Sequence, residues 1–359
     1  MSAVTPLGAA RRSVPAPRLA LLGTGVVGSA FVARHQRLRR QGVALPAFAW
    51  LANSRVLDQC GDGAAAALDS AHAAVRCGVG GVPPWAEAEA LRRGDIVVDA
   101  TASDGVADLH AQWLARGVHV VTANKLGSGA DPARADSIVR AQRKSGARYG
   151  DSATVGAGLP LLASLRALVR GGDRIHRIEG ILSGSLGWLF NQFDGSRPFA
   201  ALVREACAAG YTEPDPRIDL AGEDVRRKLL ILARAAGFAL QAECVRVDSL
   251  LPRSLAVLRS DKVESHLAEL DQPLADHLAA ARKSGKSLRY IARVDADSAC
   301  AGLVALAPDH PLNAGRGTDN CVAIHSDRYA QQPLLIQGPG AGAEVTAAAL
   351  LDDVLSAFR

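Results

Sequence analysis

The sequence predicts an α/β protein of two domains, a parallel-sheet domain followed by a mixed α+β domain. Three observations predict it. A chain of 359 residues, 48% hydrophobic and 21% charged, exceeds what one hydrophobic core usually supports. Short apolar runs alternate with helix-like stretches up to Gly150, which indicates crossover units between parallel strands. Beyond Gly150 the texture changes at residues 153–160, Ala-Thr-Val-Gly-Ala-Gly-Leu-Pro, the passage into a second domain.

Taken in order, the apolar run 19–22 leads into Gly23-Thr24-Gly25-Val26-Val27-Gly28 and a helical stretch through Arg40: strand, tight turn, helix. The runs Ala47–Ala52 and Ile96–Asp99 end in Asn53-Ser54-Arg55 and in Ala100-Thr101-Ala102-Ser103-Asp104. Runs at 118–121, ending in Thr122-Ala123-Asn124-Lys125, and at 147–149 complete the first sheet. These polar sequences fall at the carboxyl ends of strands, where ligands bind in doubly wound folds. In the second domain, strands are expected at 175–182, 288–294, 303–306, 322–325 and 334–337, and Glu223–Ala236 reads as a helix. Gly338-Pro339-Gly340-Ala341-Gly342 opens a final helix at 344–358. The expected divisions are a mobile tail at 1–17, a first domain at 18–152, a second at 153–335, and a segment at 336–359 returning to the first.

Several function classes are excluded at this level. The net charge of +5 is small and the basic residues are scattered, so nucleic acid is not an expected partner. No apolar run approaches the ~18 residues that span a bilayer, so neither is a membrane. Cysteines 60, 77, 207, 244, 300 and 321 form no C-x-x-C pair and no zinc-type group with histidines, which suits a reducing cytoplasm. The first 17 residues carry Arg11 and Arg12 but no apolar core, unlike a secretion signal.

The pattern G-x-G-x-x-G is common by chance in a chain with 35 glycines, but here it follows a strand and opens a helix. In that setting Gly23 makes the tight turn, Gly25 lets a pyrophosphate approach the backbone, Gly28 permits close helix packing, and the helix N-terminus at Val26 and Val27 faces the anion. This is the Rossmann-type dinucleotide-binding arrangement; the alternative is an ordinary glycine turn. The second strand ends without the acidic residue that accepts an adenosine ribose 2′-hydroxyl. Asn53 and Arg55 stand there instead, which favours NADP over NAD unless Arg55 is simply solvated. Downstream, Gly210-Tyr211-Thr212-Glu213-Pro214-Asp215-Pro216-Arg217-Ile218-Asp219 precedes the helix in which Asp224 and Lys228 share one face at i and i+4. Such a pair is often a surface ion pair. The dense carboxylates around it suit a site that holds an amino acid's ammonium group, with a lysine as the titratable group and Lys125 as a neighbouring cation.

From the glycine turn to the last helix the chain resembles the homoserine dehydrogenases. The resemblance lies in Val121-Thr122-Ala123-Asn124-Lys125, residues 153–160, Gly180-Ile181-Leu182-Ser183-Gly184-Ser185-Leu186, residues 210–228, and Ile336-Gln337-Gly338-Pro339-Gly340-Ala341-Gly342. It implies a Rossmann-type domain plus an α+β substrate and dimerisation domain, a homodimer, and NAD(P)-dependent interconversion of L-aspartate 4-semialdehyde and L-homoserine in threonine and methionine biosynthesis. It further implies Lys228 as proton donor, Asp224 as the group that orients it, and Lys125 between nicotinamide and substrate. Glu213 would hold the substrate ammonium in a pocket lined by Tyr211, Ser185 and Asp219. Thr101, Ser103 and Gly342 would touch the cofactor, and the carbonyls of Val155, Ala157 and Leu159 would hold a monovalent cation, Na+ or K+.

Ile218 and Ser152 stand where the family usually has acidic residues, and Gly187-Trp188 replaces a more usual polar and aromatic pair. The resemblance is to monofunctional members without a C-terminal regulatory domain, so threonine is not expected to act through one. A different amino-acid or semialdehyde dehydrogenase on the same plan, or a non-catalytic nucleotide sensor, would keep the glycine turn; retention of both Lys125 and Lys228 argues against the sensor.

Overall fold

The protein is described by a computed structural model covering residues 16–61, 63–78 and 80–358; nearly all of the expected N-terminal tail lies outside the described residues. The first sheet contains β1 (Arg18–Leu22), β2 (Ala47–Ala52), β3 (Leu57–Gln59), β4 (Ile96–Asp99), β5 (His119–Thr122) and β6 (Tyr149–Gly150), in the order β3-β2-β1-β4-β5-β6. All neighbours are parallel except β3, which returns antiparallel along β2. The strand order reverses between β1 and β4, so a crevice opens beyond their carboxyl ends. The reason β1 reads as an unbroken apolar run is visible in its packing: Leu19 and Leu21 enter one core, Ala20 and Leu22 another on the opposite face.

A second sheet contains β7 (Ile175–Ile181), β8 (Val245–Val247), β9 (Ser287–Asp295), β10 (Ala299–Leu306), β11 (Asp319–Ser326) and β12 (Leu334–Pro339), in the order β12-β11-β7-β9-β10-β8. Only the β8–β10 pair is parallel. Alternate residues of β9, Leu288, Tyr290, Ala292 and Val294, meet the helices in the largest core, while Ile291 on the other face joins a small cluster with Ile181, Leu306 and Ala323. No helix among the described residues is long and apolar enough to cross a membrane.

The helix Glu223–Ala236 has the expected bounds. Glu223 and Asp224 in its first turn favour the positive end of its dipole, and Gly237, at φ 82°, turns the chain away in the left-handed conformation. Val225, Leu229, Leu232 and Ala236 bury one stripe of it, which carries Lys228 into the interior.

Four expectations change. Strands β3 and β8, three residues each, were not expected, because so short a run shows no periodicity. The strand expected at 147–149 is Tyr149–Gly150, since Val120 N reaches back to Arg148 O and pairing begins only there. β10 begins at Ala299 rather than 303, extending its pairing with β9. Residues 336–339, expected in the returning segment, pair with β11, so the chain leaves the second sheet only after Pro339.

The last helix, Ala343–Phe358, buries Ala347, Leu350, Leu351 and Val354 in the same core as Phe31 and Val32 of the helix Val26–Arg40. Its Asp353 carboxylate accepts from Ser152 N at 2.9 Å and Ser152 Oγ at 2.8 Å. The acidic group missing at position 152 is thus brought there by a residue 201 positions later. Burial pushes the Asp353 carboxyl up to about 6; nearby Asp151 acts in the same direction, while the Ser152 hydrogen bonds and Arg166 oppose it. The folded carboxyl therefore holds its proton more tightly than the unfolded one. Its contribution favours folding at acid pH and is lost as pH rises from about 4 through about 6. Asp353→Asn, which retains an oxygen for Ser152, is expected to remove about 1 kcal/mol of that loss, so that urea midpoints near pH 5 and near pH 7.5 lie closer together than in the wild type. An unchanged gap between the midpoints would contradict it.

Candidate active site

A cavity of about 810 Å3 occupies the crevice beyond β1, β2 and β4. Of the residues expected to meet a cofactor, Gly23, Gly25, Val26, Asn53, Thr101 and Ser103 line it. Gly23 adopts φ 93°, and a β-carbon there would stand 2.8 Å from Ala100 O; one at Gly28 would overlap Gly23 O, whereas one at Gly25 would meet nothing within 4 Å. The turn and the close helix thus need the first and third glycines, and the second leaves the backbone open toward the cavity. The helix Val26–Arg40 has no side-chain cap on its first N–H groups and no acidic residue in its first turn. A pyrophosphate fits that end.

The other expected cofactor residues lie elsewhere. Gly28 and Val27 pack beneath the turn, Val27 against the first-domain core. Arg55 is exposed and donates to Gly80 O at 3.3 Å rather than lining the cavity. Asn53 lines the cavity, but its side chain is committed to the loop: Nδ2 donates to Thr24 Oγ1 and Ala71 O, and Oδ1 accepts from the Arg55 and Val56 amides. Gly342, at φ 127°, opens the last helix outside the cavity lining.

Lys125 follows β5, and the structure brings it to the helix Glu223–Ala236 of the second domain. Its Nζ lies 3.2 Å from Asp224 Oδ1, while Lys228 Nζ lies 2.8 Å from Asp224 Oδ2. One carboxylate thus bridges two ammonium groups from two domains. Lys228 also donates to Leu182 O at 2.7 Å, and it is 7% exposed, so it is no surface ion pair. Two of its three N–H donors are engaged, leaving one for a ligand. Burial lowers the Lys228 ammonium from its ordinary value; Asp224 opposes this, Lys125 adds to it, and Asp219 opposes it again. For Asp224, burial would raise the carboxyl, but Lys228 and Lys125 outweigh it and hold the group well below the carboxylate range. A lysine so placed can change protonation during turnover, and its carboxylate partner stays ionised.

Asp219 joins the strand-end turn to the proline-rich segment: Oδ1 accepts from Ser185 Oγ at 2.7 Å and Oδ2 from Glu213 N at 2.9 Å. Both oxygens are taken by the protein, so Asp219 shapes this wall. Glu213 and Tyr211 are exposed, and the Tyr211 ring packs at 5.3 Å on Trp188, one of the residues departing from the family pattern. Ile218 is 57% exposed. The segment 155–159 packs through Gly158 on Val345 of the last helix and through Leu159 on Gly338. Ala157 has φ 49°, the only positive value at a non-glycine among the described residues. With Gly156 at φ 78°, it gives the chain two successive left-handed residues here.

Sequence reasoning missed Thr24, His72 and Arg76. His72 Nε2 donates to Thr24 O at 2.8 Å, holding the glycine turn, and both His72 and Arg76 line the cavity from the helix Ala64–Cys77. Their i, i+4 spacing was a legible signal that the two share a face.

Residues 23–150 match the family model for the NAD-binding domain of homoserine dehydrogenase, and residues 160–355 match the model for homoserine dehydrogenase. The bifunctional aspartokinase/homoserine dehydrogenase 2 of Escherichia coli is 46% identical over 260 residues, 72% of this chain. The chain spans about a third of that relative's length, 32%. A homoserine dehydrogenase of Emericella nidulans is 38% identical over 74% of the chain and 75% of its own length. A Candida auris protein of unknown function has a crystal structure that superposes with TM-score 0.81 at 33% identity, covering 95% of this chain and 98% of that one. A hyperthermophilic archaeal homoserine dehydrogenase solved with NADPH, 20% identical, shares the fold at TM-score 0.72 over 95% and 97% of the two chains.

Proposed function

Because the chain belongs to the homoserine dehydrogenase family of NAD(P)-dependent oxidoreductases, we propose that it interconverts L-aspartate 4-semialdehyde and L-homoserine. The observation that carries this is the Asp224 carboxylate bridging Lys125 and Lys228 at the junction of the two domains. When bound, the reduced nicotinamide supplies the hydride that the aldehyde carbon accepts. Lys228 directs its remaining N–H at the aldehyde oxygen and protonates it as the alcohol forms. Asp224 keeps that ammonium aimed, and the Lys125 charge stabilises the negative oxygen before the proton arrives. Glu213 holds the substrate ammonium, and Tyr211, Ser185 and Asp219 form the wall beside it.

NADP is the cofactor proposed. The glycine turn would hold its pyrophosphate, and the absence of a carboxylate beside Asn53 leaves room for a 2′-phosphate. Arg76, which lines the cavity, is better placed than Arg55 to meet that phosphate. A Na+ or K+ ion held by the carbonyls of Val155, Ala157 and Leu159 belongs to the same proposal, supported by the left-handed Ala157. A homodimer through the second domain, which the family resemblance implies, belongs to the same proposal.

The test is loss of NADPH absorbance on adding L-aspartate 4-semialdehyde, with NADH in parallel. Rapid oxidation with homoserine as product is expected. Folded protein that binds NADPH yet turns over no semialdehyde would refute the assignment.

A further inference from the structure

Below the cofactor loop runs a polar chain that the proposed reaction leaves unused. Asp99, at the end of β4, and His110 are both fully buried. Asp99 Oδ1 accepts from Thr101 N at 2.9 Å and Thr101 Oγ1 at 2.7 Å; Oδ2 accepts from His110 Nε2 at 2.9 Å. Since a carboxylate only accepts, Nε2 carries the hydrogen, and in the neutral ring Nδ1 is left to accept from the Tyr149 phenol, 3.1 Å away. Burial, with Asp151 and Asp99 adding to it, raises that phenol well above its ordinary value, so it keeps the proton it donates.

The far end of this chain lies under the segment that carries Lys125. Gly127 rests on it so closely that a β-carbon would overlap the phenol oxygen and stand 2.8 Å from His110 Nδ1. Gly129 N donates to Lys125 O at 2.7 Å and Leu126 N to Asn124 Oδ1 at 3.0 Å, which makes 124–129 a tight turn. Asn124 Nδ2 donates to Ser103 O at 2.8 Å on the cavity wall. Gly127, two residues after Lys125, thus rests directly on the His110 and Tyr149 pair.

We infer that Asp99, His110 and Tyr149 are positioning residues for the reduction, a polar link that fixes Lys125 relative to the Thr101–Ser103 wall of the cofactor cavity. The inference rests on the proposed role of Lys125. Apolar residues of similar shape could fill the same space at little cost to stability, so what the polar chain adds is a single geometry. Charge stabilisation depends on that geometry, because a misplaced cation loses its effect on the reacting oxygen.

Tyr149→Phe keeps the ring and removes the hydroxyl. It is expected to lower kcat about tenfold while changing the NADPH Kd, read by protein fluorescence, less than about twofold. The alkaline limb of its kcat profile should also move up, as in Lys125→Ala, because both changes withdraw the charge that helps lower Lys228. In a Lys125→Ala background, Tyr149→Phe should have no further effect on kcat. An unchanged kcat in Tyr149→Phe, or losses that multiply in the double variant, would overturn the link. An unchanged kcat in Lys125→Ala overturns the proposed role of Lys125 and the link with it. If Tyr149→Phe does not fold, Gly127→Ala displaces the same turn from the other side and should give the same pattern.

Discussion

Lys228→Ala is expected to lower kcat for semialdehyde reduction about 1000-fold, the usual range for losing a positioned general acid. The variant removes the one ammonium among the described residues that is buried, bonded to Leu182 O and Asp224, and left with a free donor. NADPH binding should persist, because the cavity lining lies in the first domain. The wild-type pH profile follows from the same group. Reduction needs Lys228 protonated, and burial lowers its ammonium, so kcat for reduction should fall through that lowered value as pH rises, while kcat for oxidation rises through it. Stopped-flow absorbance on folded variant protein is the measurement; a loss smaller than tenfold would remove Lys228 from the role of proton donor.

Arg76→Ala is expected to raise KM for NADPH about 30-fold, corresponding to about 2 kcal/mol for a charge-assisted hydrogen bond, and to leave KM for NADH within about twofold. The helix Ala64–Cys77 presents Arg76 to the cavity together with His72, whereas the Arg55 guanidinium turns to Gly80 O. Arg55→Ala is the companion variant. If it, and not Arg76→Ala, abolishes the preference for NADPH, the phosphate lies at the end of β2, where the sequence placed it.

The central strands β1, β4 and β5 of the first sheet were legible because burial on both faces makes them continuous apolar runs, and the glycine turn because its first and third glycines each have a steric reason. Asp224 and Lys228 were legible as a pair from helical spacing alone. The burial of Lys228 was not, since it comes from the stripe of Val225, Leu229 and Leu232 packing in the second-domain core. Arg55 shows a different limit: nearness to a strand end says nothing about where a long side chain turns. The Asp99, His110 and Tyr149 chain joins residues 11 and 39 positions apart and matches no motif. Ser152 could be read only as a missing acid, because the carboxylate that meets it comes from the last helix.

That helix also sets the order of assembly during synthesis. The Phe31 and Val32 side of the first domain stays open until residues 343–358 have left the ribosome, so the nucleotide-binding half, begun first, is completed last. The second domain has all its strands available earlier, and a nascent chain halted before the last helix would carry a finished substrate half beside an unclosed cofactor half.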